Sequence, residues 1–298
     1  MKILFTGSNG LLGQKICALT TAYPQHTFLA TSRGANRTQN LGRAKYLTMD
    51  ITKRTNVLRV VEEFEPEVII HGAAMTHVDK CELQRDLATL MNVEGTRHIA
   101  EAAQNVQAHL ILISTDFIFD GKDGPYNEEA IPNPLSHYGK TKLLAENIVK
   151  GLTSYSILRT VLVFGVAEDL SRSNIVLWAK RALEQGQPIN VVDDQYRTPT
   201  LAEDLAIGTL LAADKKAHGV FNISGPDHMS IYELVKKVAE HFDLSMSNVS
   251  KVDSITLNQP AKRPLITGFD ISKAQRELGF KPHSFKESLE LMTAQAGL

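Results

Sequence analysis

The chain opens on an apolar triplet, Ile3-Leu4-Phe5, that runs directly into Thr6-Gly7-Ser8-Asn9-Gly10-Leu11-Leu12-Gly13. The G-x-x-G-x-x-G spacing, a variant of the more common G-x-G-x-x-G, falls between a strand-like run and a helical pattern. Glycines there let the backbone turn tightly and bring its N–H groups against an anion, and the next helix presents its positive end at the same place. Glycine between strand and helix can also serve packing alone, so the reading rests on the strand–loop–helix order. That order is the start of a dinucleotide-binding α/β domain, with Gly7, Ser8, Asn9, Gly10, Leu11, Leu12 and Gly13 as the pyrophosphate loop.

The rest of the first half keeps alternating. Strands are expected at Thr27–Thr31, Ala44–Met49, Val68–His71, Leu110–Ser114 and Ser156–Arg159, and helices at Leu11–Ala22, Val57–Phe64, Asp86–Gln104 and Tyr138–Lys150. Alternation of this kind implies a doubly wound parallel sheet, a Rossmann-type α/β fold, with helices on both faces. A long loop, Asp120 to Ser136, carries three prolines and two glycines and delivers the chain to Tyr138. Loops of that length in compact domains are usually functional.

After Gly165 the alternation fades. Helices are expected at Ser173–Gln185 and Leu201–Ala213, from the capping box at Ser230-Ile231-Tyr232-Glu233 to His241, and from Ser272 to a stop at Gly279. The expected division is a dinucleotide-binding domain of residues 1–165, joined by about 198–218, and a smaller C-terminal substrate-binding lid of residues 166–197 and 219–298.

With 32 Lys+Arg against 33 Asp+Glu, the formal charge is −1, which gives no footprint for nucleic acid or a membrane surface as the main partner. Cys17 and Cys81 belong to no C-x-x-C pair, so neither a disulfide framework nor a zinc knuckle is implied. No apolar run approaches a membrane span, and Met1-Lys2 leads straight into the first strand; a cytoplasmic protein is expected. His71, His77, His98, His109 and His137 show no metal-ligand spacing and are read as core, surface or loop residues, so no metal is expected.

The second strand ends in Thr31-Ser32-Arg33. An NAD site usually places an acid there to bind the ribose 2′-hydroxyl; a guanidinium suits a 2′-phosphate. Ser32 and Arg33, with Arg37 nearby, therefore favour NADP(H), with NAD(H) as the alternative. Asp50 is placed either at the adenine edge or as a cap for the helix after Thr52.

Tyr138 and Lys142 are one helical turn apart on one face, and Ser114-Thr115 ends a strongly apolar strand. Hydride delivered to a carbonyl carbon needs a proton for the oxygen. A free tyrosine, with a pKa of roughly 10, is a poor relay at neutral pH, and a neighbouring ammonium favours its phenolate. Thr115 can hydrogen-bond the same carbonyl oxygen. A Tyr-x-x-x-Lys pair alone is common on surface helices; its place at a strand C-terminus of an open sheet gives it weight.

With these residues in view, the chain resembles the extended short-chain dehydrogenase/reductases and, more narrowly, the dTDP-4-dehydrorhamnose reductase family. The resemblance spans nearly the whole chain. It rests on the glycine loop, His71-Gly72-Ala73-Ala74-Met75-Thr76, Val78-Asp79-Lys80, Asn92-Val93-Glu94-Gly95, Ser114-Thr115-Asp116-Phe117, Tyr138-Gly139-Lys140-Thr141-Lys142, Arg159-Thr160, Asp193 to Thr200, and Arg263-Pro264. It implies a Thr115, Tyr138, Lys142 catalytic triad. It adds Ile51, Gly72, Ala73, Ala74, Thr76 and Asn92 to the cofactor contacts. Thr76, Val78, Thr115, Asp116 and Phe117 would line a sugar pocket, with Arg197 and Arg263 meeting the nucleotide diphosphate. The implied activity is NADPH-dependent reduction of a keto group on a nucleotide-activated deoxysugar, in carbohydrate biosynthesis. A homodimer through the helices around 86–104 and 138–150 is expected from the superfamily.

The chain departs from the family pattern at Phe117, where tyrosine is frequent, at Leu162, where tryptophan is usual, at Arg197, where glycine is usual, and at His71-Gly72, where Asn-Ala is usual. Phe117 also stands where sugar 4,6-dehydratases carry a glutamate, so dehydration is not expected. Two alternatives follow. Arg197 resembles the related sugar epimerases, and the beta subunit of methionine adenosyltransferase, a regulatory NADP-binding protein, resembles the same family.

Overall fold

Ile3, Leu4 and Phe5 have no solvent exposure, because the first strand is covered on both faces. Side chains alternate along a strand. Ile3 and Phe5 therefore enter one apolar core with Ile16, Leu205, Leu210 and Phe221, while Leu4 enters another with Val57, Val60, Ile99 and Ala145. The computed structural model describes residues 1–168 and 174–296. Seven parallel strands form its central sheet, in the order β3 (Lys45–Thr48), β2 (Thr27–Ser32), β1 (Lys2–Thr6), β4 (Val68–His71), β5 (His109–Thr115), β6 (Tyr155–Thr160) and an edge strand, Gly219–Asn222. The chain reverses direction across the sheet between β1 and β4, which opens a crevice at the strand C-termini.

Helix α1 (Leu11–Leu19) packs with a helix over Ala202–Lys215 on one face of the sheet. On the other face lie α2 (Arg54–Phe64), α5 (Gly95–Asn105) and α6 (His137–Lys150). Between α2 and α5 come two short helices, α3 (Val78–Leu83) and α4 (Arg85–Thr89). The single helix expected at Asp86–Gln104 is interrupted by a π-helical turn at Leu90–Glu94, between α4 and α5.

A third core holds the lid. It gathers Phe164, Val176, Leu183, Leu234, Val238, Phe285 and Met292 from α7 (Ile175–Glu184), a helix over Ile231–His241 and a last helix over Phe285–Ala296. The expected start of α7 at Ser173 lies outside the described residues; Asn174 Oδ1 accepts from the Val176 and Leu177 N–H groups at its N-terminus. The capping box forms as expected, with Glu233 N donating to Ser230 Oγ and Ser230 N to Glu233 Oε2. Gly279, at φ +76°, ends the helix Ser272–Leu278.

The expected lid boundary at 219 cuts through the sheet. Gly219–Asn222 is the partner of β6, and Phe221, Phe269, Ala274, Leu278 and Phe280 sit in the same core as Phe5. These C-terminal residues return to the sheet because the open edge of β6 needs hydrogen-bond partners and an apolar cover. Cys17 and Cys81 are buried free thiols. Among the described residues no helix is long and apolar enough to cross a membrane, and no cluster of metal-ligating side chains occurs.

Candidate active site

A cavity of about 780 Å³ opens at the C-terminal ends of β1, β4, β5 and β6 and runs from Arg33 to Arg263. Its floor is the glycine loop. Gly7 has φ +81°, a conformation that favours glycine. Gly10 N donates to Gly7 O at 2.8 Å and closes the turn. A Cβ on Gly13 would lie 2.4 Å from Ser8 Cα, so α1 presses against the loop only because residue 13 has no side chain. No side chain caps the N-terminus of α1. Its first N–H groups and partial positive charge thus face the cavity, and the donor set fits a pyrophosphate.

Gly7, Asn9, Gly10, Leu11, Leu12 and Gly13 line the cavity as expected. Ser8 does not. It is fully buried, and its N–H is spent on Thr31 O, which ties the loop to β2. Asn9 braces the neighbouring loop, its Nδ2 donating to Ala35 O and its Oδ1 accepting from Arg37 N.

Ser32, Arg33, Arg37, Asp50 and Ile51 line the far end. Arg33 and Arg37 are exposed, and neither guanidinium has an intramolecular partner among the described residues. Asp50 lines the cavity, and its Oδ1 accepts from Thr52 N and Oγ1 at 3.0 and 2.8 Å. That contact closes a turn ahead of α2; the N-cap position is Lys53 and no side chain caps it, so the expected helix cap does not form.

Gly72, Ala73, Ala74 and Thr76 form the wall above β4. Asn92 is buried one layer behind this wall. Its amide exchanges two hydrogen bonds with the Met75 backbone and donates to Thr141 Oγ1, so it shapes the wall without lining the cavity. His71 is likewise structural, bridging Thr6 Oγ1 and Thr96 Oγ1; burial holds its pKa down to about 3, with Lys142 adding to the effect.

Thr115, Tyr138 and Lys142, the expected triad, line the centre of the cavity. Thr115 ends β5, and Tyr138 sits in the first turn of α6, whose N-terminus is capped by Ser136 Oγ accepting from Gly139 N. A Cβ on Gly139 would lie 2.1 Å from Phe117 O. That contact brings α6 close enough for Tyr138 to meet the Thr115 hydroxyl and to pack edge-on against Phe117. One turn on, Lys142 Nζ donates to Ile113 O at 2.7 Å.

Burial pushes the Tyr138 phenol well above its ordinary pKa; the Thr115 hydrogen bond opposes this and the Asp116 charge adds to it. Burial holds Lys142 down to about 8, with Glu146 opposing. The expected direct support of a Tyr138 phenolate by Lys142 is therefore not the dominant influence in this arrangement. The phenol keeps its proton, which suits a donor.

Thr76, Val78, Asp116, Phe117, Arg197 and Arg263 line the near end, where the lid meets β5. Asp116 is buried beneath it, and its pKa is raised by that burial. Arg197 does not fit its expected role. Its guanidinium donates to the Tyr196, Leu265 and Pro264 carbonyls and to Gln195 Oε1, and Nε lies 3.6 Å from Asp116. All its nitrogens are committed inside the protein. Arg263 forms a two-pronged pair with Asp79, at 3.1 and 2.7 Å, at the cavity mouth. Sequence reasoning missed Ile113, Met91, Thr160 and Ala167 as lining residues. Only the strand-end position of Thr160 could have signalled one of them.

The family model described as the RmlD substrate binding domain matches residues 1–297. The chain belongs to this family. Members and neighbours carry more than one name. The chain is 30% identical to the dTDP-4-dehydrorhamnose reductase of Aggregatibacter actinomycetemcomitans, over 99% of each chain. It is 32% identical to the methionine adenosyltransferase 2 subunit beta of Pongo abelii, over 92% of this chain and 81% of that one. Among solved structures, a dTDP-4-dehydrorhamnose reductase from Clostridium acetobutylicum superposes with a TM-score of 0.87 at 33% identity over all of both chains. The reductase from Bacillus anthracis, solved in complex with NADP, gives 0.84 at 30% identity over 99% of each. The RmlD-family resemblance read from the motifs is thus shown.

Proposed function

We propose that this RmlD-family chain is an NADPH-dependent oxidoreductase that reduces the keto group of a nucleotide-activated deoxysugar. The observation that carries the reading is the meeting of Thr115, Tyr138 and Lys142 over a cavity that has an uncapped helix N-terminus at its floor. The reductases of Aggregatibacter and Clostridium, similar over the full length, support it. The uncommitted Arg33 and Arg37, together with the NADP complex of the Bacillus relative, support NADP(H) as cofactor; NAD(H) is the weaker option.

Bound NADPH supplies the hydride to the carbonyl carbon. Thr115 orients the carbonyl oxygen, and Tyr138 gives that oxygen its proton, so C=O becomes CH–OH and a phenolate remains to be reprotonated. Lys142, held against Ile113 O, keeps a positive charge one turn below that phenolate. Thr76, Val78 and Phe117 enclose the sugar, and Arg263 stands at the mouth for the diphosphate.

Labelled cofactor tests the reading. NADPH carrying deuterium at its transferable position should leave deuterium on the sugar carbon and release NADP. Retention of cofactor, with no net label in product, would point instead to an epimerase, whose one supporting feature, Arg197, is engaged internally. A second reading, a regulatory NADP-binding subunit, is favoured by the similarity to the methionine adenosyltransferase beta subunits. It predicts tight NADPH binding without turnover.

The reading extends to a homodimer. Leu87, Leu90 and Leu144 are 41%, 42% and 50% exposed along α4, the π-helical turn and α6. Light scattering at the mass of one chain would remove it.

A further inference from the structure

Three consecutive residues at the end of β5 do three different things. Ile113 offers its carbonyl to Lys142 Nζ, Ser114 donates its hydroxyl to Glu146 Oε1 at 2.6 Å, and Thr115 faces Tyr138. Glu146 lies on α6 one turn beyond Lys142 and two turns beyond Tyr138, so all three share one helix face. Its carboxylate has no solvent exposure. It also takes both prongs of the buried Arg159, with Nε on Oε1 at 3.0 Å and Nη2 on Oε2 at 2.8 Å, and Lys150 Nζ approaches Oε2 at 3.5 Å from the solvent side. Arg159 in turn donates to Glu128 O and lies over the Phe119 ring.

A buried ion pair is no bargain for stability by itself, because apolar residues of the same volume often serve as well. Its placement here suggests another use. We propose that Glu146 is a positioning residue for the Thr115–Tyr138–Lys142 site: through Ser114 it fixes the end of β5 against α6, and through its charge it keeps Lys142 an ammonium. The inference rests on the reading of Lys142 as a cofactor-facing cation.

Among titratable and charged groups, Lys142 faces Tyr138 and Glu146 on its own helix and His71 from β4. Asp116, after β5, faces Tyr138. His71 is held neutral in its pair of threonine contacts, and Tyr138 keeps its proton. Arg159 and Lys150 reach Lys142 only through Glu146, whose charge they partly offset. Among the described residues Glu146 is thus the one anion beside Lys142, and burial opposes it. The balance of those two effects holds the Lys142 pKa down to about 8.

The test is the pH dependence of NADPH affinity, followed by cofactor fluorescence on the full chain, which needs no sugar substrate. The native protein should lose affinity on an alkaline limb that Lys142→Met removes. Glu146→Gln should move that limb down by about one pH unit or more, the usual effect of one close opposite charge. Lys150→Met, at an exposed site on the solvent side of Glu146, should move it up by a smaller amount. Ser114→Ala, which changes no charge, should leave it in place while lowering turnover.

Shifts of opposite sign for removal of the anion and of the exposed Lys150 cation cannot come from a general loosening of the fold. A limb that Lys142→Met removes but that Glu146→Gln and Lys150→Met leave unmoved would overturn the proposal and spare the cofactor reading. A limb unaffected by Lys142→Met would overturn both.

Discussion

Arg197 and Asp116 face each other at the near end of the cavity, with Nε 3.6 Å from Oδ2, and both are buried. Asp116 Oδ1 accepts from the Thr115 hydroxyl, and Oδ2 accepts from Thr267 at 2.6 Å. The acid thereby links the end of β5 to the chain segment that crosses it, and Arg197 supplies the compensating charge. A guanidinium with this many internal acceptors is a structural cation.

Arg197→Gly, which restores the residue usual in the family, should therefore act on stability before it acts on substrate affinity. It leaves the buried Asp116 carboxylate without its compensating charge and Pro264 O and Gln195 Oε1 without their donor, a loss of about 3–5 kcal/mol. Thermal unfolding should show a large drop in Tm, with KM little changed in whatever folded protein remains. A normal Tm with a raised KM would return Arg197 to the substrate.

Arg263 is the contrasting case. The Arg263–Asp79 pair lies at the cavity mouth and keeps more contact with solvent than Arg197 and Asp116 do, so its loss costs less stability. Arg263→Ala should leave Tm within a degree or two of native and raise KM for the nucleotide-linked substrate roughly tenfold, the value of one charge-assisted contact. Unchanged KM would remove it from the diphosphate site.

How much of this was legible in advance depended on distance along the chain. The glycine loop, the Tyr138–Lys142 spacing and the Ser230 capping box are local, and their geometry follows from helix and turn periodicity. The partners of Arg197 are carbonyls at 264 and 265, more than sixty residues away, and no local pattern announces them. The same holds for Gly219–Asn222, four residues whose strand character comes from pairing with β6. Asn92 sits in a π-helical turn, where one extra residue per turn rotates it behind the wall that its motif suggested it would line.

Cofactor choice should follow Arg33 and Arg37. Removing both guanidinium groups by alanine substitution should weaken NADPH roughly ten- to hundredfold, the value of charged contacts to a 2′-phosphate, and leave NADH nearly unchanged. Equal weakening of the two cofactors in a binding titration would sink the 2′-phosphate contact.

His71 makes acid stability a test of burial. Its pKa is lowered from the ordinary histidine value to about 3 in the folded chain, so the unfolded chain binds the extra proton first. Stability contributed by the neutral ring is full above the unfolded value of about 6.5 and is lost as pH falls from there toward 3, by up to about 4 kcal/mol. His71→Asn cannot take up that proton. Denaturant midpoints between pH 6.5 and 4 should therefore fall less steeply for the variant than for the native chain. Parallel slopes would show that the ring is not buried neutral.

The central claim is tested most directly by NADPH oxidation with native protein and Tyr138→Phe against a panel of nucleotide 4-keto sugars. The account predicts turnover of at least one sugar by the native chain. It also predicts a loss of about 10²–10⁴-fold in Tyr138→Phe, the range for a positioned proton donor, with NADPH affinity nearly intact. Turnover that survives the substitution, or tight NADPH binding with no turnover of any sugar, would contradict it.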